Sequence, residues 1–150
     1  MKRNENLVPL SRDHHFGLLC SWKIRKGVKK NIAYDRIKKY INYFWQESLS
    51  RHFEIEDTVL PEPENESLQL QMQKEHSEIR KLINTLNQSQ NPRILEDFAD
   101  ALSSHIRFEE RMYFPHLENH LSDDEMTEIG NKLNLIHQKE QDNYPDQFWK

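Results

Sequence analysis

The chain has 150 residues, of which 35% are hydrophobic and 31% are charged, and its formal net charge is −4. This length allows one compact domain, and so polar a composition suits helices that each bury a single apolar stripe. With only 3 glycines there is little material for phosphate-binding loops or tight hairpins. The acidic balance offers no basic patch for nucleic acid, and a single cysteine excludes an internal disulfide framework.

Targeting and membrane signals are missing from the sequence. The first residues, MKRNENLVPL, lack the apolar stretch of a signal peptide, and no run of about 18 apolar residues is present to span a bilayer. Together with the lone Cys20, which fits a reducing compartment, this predicts a cytoplasmic protein with no membrane partner. Residues 1–150 are expected to form one domain.

The first helix is expected to follow an extended lead-in. Pro9 disfavours helix just before it, so residues 1–10 are expected to be extended, and Ser11 is a good N-cap. The helix then runs to about Val28. Its expected buried side chains are Leu18, Leu19 and Trp22.

Three further long helices are predicted from apolar residues at three- and four-residue steps. The second spans about Ala33 to Asp57, and the prolines of PEPEN at 61–65 predict a loop after it. The third runs from about Glu66 to Leu86. The fourth starts at Asn91-Pro92 and continues to about His116.

A capping box at Ser122–Glu125 opens a fifth, shorter helix, expected over about residues 122–140 with Met126, Ile129, Leu133 and Ile136 at helical spacing. The tail, residues 141–150, is not expected to continue it past Pro145. Four long amphipathic helices with short connections predict an all-α, up-and-down antiparallel four-helix bundle over about residues 11–118, with the fifth helix added. The protein is expected to be a monomer or a weak homodimer.

Two His–Glu pairs mark the second and fourth helices. His52 and Glu56 are four residues apart, as are His105 and Glu109, so each pair lies on one helix face. Either pair alone is more often a polar pair on a wet surface. Here each continues the apolar stripe of its helix, and the stretches HFEIEDTVLP and HIRFEERMYFP resemble an imperfect internal repeat.

If the repeat is real, the first and third helices should each contribute a donor. The first carries His14-His15, of which His15 is preferred because it shares a stripe with the expected core residues, and the third carries His76 on its apolar stripe. Burying these imidazoles and carboxylates together is costly unless cations coordinate them, and the donor set suits iron or manganese, with zinc possible. The candidate ligands are His15, His52, Glu56, His76, His105 and Glu109.

In this order of motifs the chain resembles the hemerythrin-like, or HHE cation-binding, family over about residues 10–118. The resemblance implies a non-haem pair of irons with an oxo or hydroxo bridge, terminal histidines, and Glu56 and Glu109 as bridging carboxylates. Oxygen-carrying hemerythrins have a second histidine one turn after the third-helix histidine, where this chain has Arg80. His14, Tyr113 or water are the candidate substitutes. The motifs are His15, HFEIE at 52–56, EH at 75–76, HIRFE at 105–109 and FP at 114–115.

Three functions remain open from the sequence. The preferred one is a di-iron protein that binds or senses dioxygen or another small diatomic ligand, or handles iron. A di-iron enzyme acting on peroxide, nitric oxide or dioxygen is less favoured, because no acid–base pair outside the ligand set is visible. A metal-free helical interaction module, with Phe148 and Trp149 as a partner surface, is the third. The expected ligand pocket is lined by Trp22, Phe44, Trp45, Met72 and Phe98.

The other histidines are not candidate metal ligands. His116 and His120 lie near a helix end and are expected on the surface, and His137 is expected to be solvated without a partner.

Overall fold

The computed structural model describes residues 2–60, 66–137 and 141–150, and all regular structure in these ranges is helical. The predicted all-α class is therefore confirmed, while the loop expected at 61–65 lies outside the described residues. The helices are α1 (Val8–Lys29), α2 (Tyr34–Phe44), α3 (Ser50–Val59), α4 (Glu66–Leu86), α5 (Pro92–Phe108), α6 (Phe114–His120) and α7 (Asp123–Ile136).

Two of the long helices contain a π-helical turn. Trp45–Leu49 joins α2 to α3, and Glu109–Tyr113 joins α5 to α6. The residues that flank each turn keep helical backbone angles, so α2–α3 and α5–α6 are continuous rods. With α1 and α4 they make four rods, as the predicted bundle requires. A π turn inserted in an α-helix frequently marks a functional site.

Helix α1 packs closely against α5. A Cβ atom on Gly17 would lie 2.6 Å from Ile106 Cδ1, so a larger residue at this position would require the end of the Ile106 side chain to move. The side of α1 that faces the bundle is correspondingly built from small and polar residues as well as aliphatic ones. Its buried residues are Leu10, Asp13, His14, Gly17, Cys20, Ser21, Lys23, Ile24 and Gly27.

This packing corrects the expected start and buried face of the first helix. The helix starts at Val8, because proline is tolerated in a first turn, and Ser11 lies inside it rather than at its N-cap. Leu18 is 39% exposed and Trp22 is 50% exposed. Both were expected in the core, but they lie on the outer side of the helix, away from the close crossing with α5.

The fifth helix begins at the predicted capping box, where Ser122 and Glu125 exchange hydrogen bonds. Met126, Ile129 and Leu133 are buried against the bundle, whereas Ile136 is 47% exposed.

The C-terminal tail covers the core of its own chain. Phe148 and Trp149 are buried beside Tyr40, and Lys23 reaches over the Trp149 ring at 4.0 Å while pairing with Asp142. The expectation that these aromatics form a partner surface is therefore wrong. Within the described ranges, no helix has both the length and the apolarity needed to cross a bilayer.

Removal of the buried Phe148 ring tests whether the tail covers the core. Phe148 is 2% exposed, so Phe148→Ala should lower the free energy of unfolding by about 3–5 kcal/mol through lost burial and the cavity left behind. Urea denaturation followed by circular dichroism measures the change. The control Leu135→Ala, at an 85% exposed position, should stay within about 0.5 kcal/mol of the parent. Similar values for the two variants would show that the tail does not seal the core.

Candidate metal centre

Six donor side chains from all four rods meet in the middle of the bundle. They form two groups of four, and within each group one ligand atom per residue lies within 4.8 Å of all the others. Both groups contain Glu56 and Glu109. One group adds His14 and His52, and the other adds His76 and His105. All six residues are at most 4% exposed, so this constellation lies inside the protein.

The structure places His14, not His15, in this cluster. His15 is exposed and its ring meets only Phe16 edge-on among the aromatic contacts of the described residues. The preference for His15 is corrected for the same reason as the buried face of α1. The neighbours that suggested an inward stripe, Leu18 and Trp22, point outwards. The structure does bring together His52, Glu56, His76, His105 and Glu109, as the spacing suggested.

Most of the inward atoms approach one another without forming hydrogen bonds, although His14 Nε2 lies 2.9 Å from Glu109 Oε1 in hydrogen-bond geometry. Glu56 Oε1 lies 3.2 Å from His52 Nε2 and 3.2 Å from His76 Nε2, yet neither contact has hydrogen-bond geometry. In the described part of the chain, both Glu56 oxygens and the Nε2 atoms of His52, His76 and His105 have no hydrogen-bond partner. Ligands that lie about 2.1 Å from an octahedral cation are separated by about 3.0 Å, which is close to these spacings. The arrangement therefore fits donors that surround a cation.

Each of the four imidazoles forms a hydrogen bond, on the side away from the centre, with a carboxylate of another rod. His52 Nδ1 lies 2.8 Å from Asp13, His76 Nδ1 lies 3.1 Å from Asp57, His105 Nδ1 lies 2.8 Å from Glu75, and His14 Nδ1 lies 2.7 Å from Glu110. We call these acids the outer carboxylates: Asp13, Asp57, Glu75 and Glu110. Because α1 braces α3, α3 braces α4, α4 braces α5 and the turn after α5 braces α1, the bonds close a ring around the bundle.

This ring determines which nitrogen faces the centre. An ionised carboxylate can only accept, so each Nδ1 must carry the proton that it donates. The Nε2 lone pair of a neutral imidazole is then directed inwards. Metal-ligating histidines almost always use their second nitrogen in this way, and the partner fixes both the tautomer and the ring orientation.

The outer carboxylates have supporting contacts of their own. Arg80, which occupies the position of the missing histidine, is 44% exposed and reaches Asp57 at 3.5 Å. It therefore supports the acid behind His76 and does not enter the centre. Gln71 bonds to Glu75, Ser11 and Arg3 reach Glu110, and His137 bonds to Asp13. The expectation that His137 has no partner is wrong.

The π turn at Glu109–Tyr113 positions one side of the centre. The N–H of Phe114 bonds to the carbonyl of Glu109, and Pro115 has no N–H, so the carbonyl of Glu110 loses its helical donors. Arg3 Nη2 donates to that carbonyl at 2.7 Å. Pro115 is thus accommodated within the continuous rod by the π turn and by the N-terminal segment.

Burial and neighbouring charges shift the pKa values of the cluster in opposite directions. Burial lowers the pKa of His105, but Glu109, Glu75 and Glu56 together outweigh it and raise the pKa to about 10. Burial also lowers the pKa of His52, yet Glu56 and Asp13 raise it well above its ordinary value. The pKa of Glu109 is held well below the usual range because His105 and His14 outweigh burial. Without a cation, protons on the imidazoles balance the buried carboxylates, and a bound cation would replace those protons.

Tyr113 lies at the end of the π turn with its hydroxyl unsatisfied. Its side chain is 1% exposed, and the hydroxyl has no hydrogen-bond partner among the described residues. Burial, together with the charges of Glu56 and Glu109, raises the pKa of the phenol. The hydroxyl therefore stays protonated and keeps a donor available in the interior.

A cavity of about 10 Å³, space for a single water-sized molecule, borders the cluster. It touches His14, His52 and His105, and its other walls include Gly17, Phe44 and Leu102.

Of the side chains expected to line a pocket, only Phe44 contributes to this cavity. Trp45 is half-buried with its edge on Phe53, and Met72 and Phe98 are packed in the core away from the cavity. Trp22 cannot line it, because its side chain is half exposed on the outside of α1. His120 is exposed as expected, and His116 is partly buried with its ring stacked on that of His120.

Sequence reasoning missed the outer carboxylates, although their signal is simple. Each is the chain neighbour of an inner donor, in the dipeptides Asp13-His14, Glu56-Asp57, Glu75-His76 and Glu109-Glu110. Each acid, however, braces an imidazole of a different rod. The pairing therefore depends on how the rods pack, which neighbouring positions in the sequence do not reveal.

The two adjacent histidines of α1 offer a matched test of this geometry. His14→Ala should weaken cation binding by more than the about 10–100-fold typical of losing an outer partner, because an inward donor disappears. His15→Ala, at an exposed position, should leave the dissociation constant unchanged. Anaerobic titration with Fe(II), followed by metal analysis, measures both. Equal losses, or a loss only in His15→Ala, would contradict the placement.

Comparison with known proteins agrees with the geometry. The model of the hemerythrin HHE cation-binding domain matches residues 14–117, which span all six inner donors. Neither a curated protein nor a solved structure matches the chain significantly. The match covers more than half of the chain and includes part of every rod of the bundle, and so the chain belongs to the hemerythrin HHE cation-binding domain family.

Proposed function

We propose that this chain holds two iron ions in a non-haem di-iron centre and uses them to bind dioxygen or a related small ligand. The observation that carries the proposal is the sharing of Glu56 and Glu109 by the two groups of donors. Each carboxylate has two oxygens and can join two cations, while each pair of histidines belongs to one group alone. His14 and His52 would be terminal ligands of one ion, and His76 and His105 of the other.

The donor set and its charge favour a pair of metal cations. Imidazole and carboxylate donors suit iron, with manganese and zinc as alternatives. With neutral imidazoles, the two inner and four outer carboxylates carry six negative charges. Arg80 contacts Asp57 and Arg3 contacts Glu110, so these two guanidiniums offset two of the charges. The four that remain require multiply charged cations in the interior.

Open coordination positions support a ligand-binding role. Four protein residues do not fill an octahedral ion, and the histidine that would add another donor is replaced by Arg80. A guanidinium has no lone pair to offer, and this one is turned towards Asp57. The cavity beside His14 and His52 has room for one water-sized molecule, which favours a diatomic ligand over an organic substrate. The iron would supply the reversible electron transfer that dioxygen binding requires.

The first experiment loads the protein with Fe(II) without air and then admits oxygen. The proposal expects two irons per chain and new visible charge-transfer bands of ferric iron after exposure. Glu56→Gln keeps the size of the side chain but removes a shared donor, so it should lose both irons together. One iron per chain in the parent, or two irons without any optical change, would contradict the proposal. Repeated turnover of peroxide would indicate an enzyme instead.

Tyr113 gives a second test, directed at the ligand. Its unsatisfied hydroxyl lies near the shared carboxylates, and we propose that it donates a hydrogen bond to a small anion on the centre. Tyr113→Phe should weaken azide binding to the ferric protein by about 10- to 150-fold, since a hydrogen bond to a charged group contributes about 1.5–3 kcal/mol. Optical titration measures the affinity.

The control for this test is Tyr43→Phe, which removes a hydroxyl exposed beside Asn143. It should leave both azide binding and iron content unchanged. An unaltered azide affinity in Tyr113→Phe would show that the phenol makes no bond to the ligand. Loss of iron from that variant would show that it is a ligand of the metal instead.

A further inference from the structure

His137 connects the end of α7 to the metal centre from outside the family domain. The matched region ends at residue 117, and His137 is the C-cap of the following helix. Its Nε2 lies 2.9 Å from both oxygens of Asp13, and its side chain is only 14% exposed. Asp13 also accepts from His52 Nδ1 at 2.8 Å, so one carboxylate joins the two imidazoles.

Asp13 affects the centre at two points. It fixes the ring of His52 through a hydrogen bond, and it precedes the donor His14 in α1. The carboxylate is an acceptor only, so both imidazoles must donate to it. Without His137 one oxygen would lose its donor, and the carboxylate would be free to rotate away from His52.

The last turn of α7 depends on the same contact. Leu133 is the final fully buried apolar residue of the helix, while Leu135 is 85% exposed and Ile136 is 47% exposed. The His137–Asp13 hydrogen bond thus holds this end of α7 against α1.

We propose that His137 is a positioning residue for the metal centre. Through Asp13, it couples the packing of the α7 C-terminus against α1 to cation binding by His14 and His52. The inference rests on the proposed function. Coupling between two equilibria is reciprocal, so if the contact strengthens cation binding, a bound cation strengthens the contact by the same factor. The end of α7 would then report whether the centre is filled.

The test measures the binding of Co(II) to the full chain. Co(II) is coloured, so its binding can be followed optically without a change of oxidation state. His137→Leu should weaken binding by about tenfold, the lower end of the range for outer partners, and shift the visible cobalt bands. His137→Gln places an amide donor near the position of Nε2 and should restore most of both. The control His120→Leu removes an exposed histidine and should change neither.

A double-mutant cycle separates positioning from general stability. In an Asp13→Asn background, His137→Leu should cause little further loss, since the partner through which it acts has changed. Amide exchange in the last turn of α7 should slow when Co(II) is added to the parent and not when it is added to His137→Leu. If His137→Leu does not fold, His137→Asn, whose amide nitrogen falls nearer the Nδ1 position, replaces it with the same expected loss.

The outcomes are distinct. Parent-like affinity and spectrum in His137→Leu, or the same loss in both backgrounds, would overturn this inference and leave the proposed function intact. A parent protein that binds no cation would overturn the proposed function and this inference with it.

Discussion

Four carboxylate–imidazole hydrogen bonds close a ring around the bundle, and the rest of the centre depends on that ring. Each bond joins two different rods, so no imidazole is oriented by its own helix alone. The donated Nδ1 protons leave the Nε2 atoms facing inwards, towards the shared carboxylates of Glu56 and Glu109. Burying these polar groups without partners would be very costly, which makes the interior stable only when protons or cations occupy it. The same bonds that prepare the centre thus also specify how the rods pack.

The two halves of the centre are supported differently. Around His76 and His105, the outer carboxylates are held by residues of the bundle itself, Arg80 and Gln71, and the ring of Phe53 stacks on His76 at 3.9 Å. Around His14 and His52, the supports come from the N-terminal segment and from α7. Both of these imidazoles border the cavity, together with His105 of the other half. Segments outside the matched domain therefore support two of the three imidazoles beside the space for a ligand.

Helical periodicity was sufficient to predict the bundle, because the buried faces of α4 and α5 carry large apolar residues with the donors among them. It failed on α1, where the buried face includes the small or polar residues Asp13, Gly17 and Ser21 while the large apolar Trp22 lies outside. An apolar stripe is a reliable guide only where the buried face of the helix is itself mainly apolar. The choice of His15 over His14 was the direct consequence. The π turns were not predicted either, although the first of them leaves a five-residue step between the buried side chains of Phe44 and Leu49.

The turn at Glu109–Tyr113 shows why such an insertion is tolerated here. It frees the carbonyl of Glu110, which in an ordinary helix would be satisfied within the backbone. Arg3 supplies the missing donor and also contacts the side chain of Glu110, the acid that braces His14. The Arg3 guanidinium therefore both satisfies the free carbonyl of Glu110 and helps to orient the metal donor His14. Glu109 and Tyr113 lie at the two ends of this turn and are both buried, so the local irregularity is part of how the centre is built.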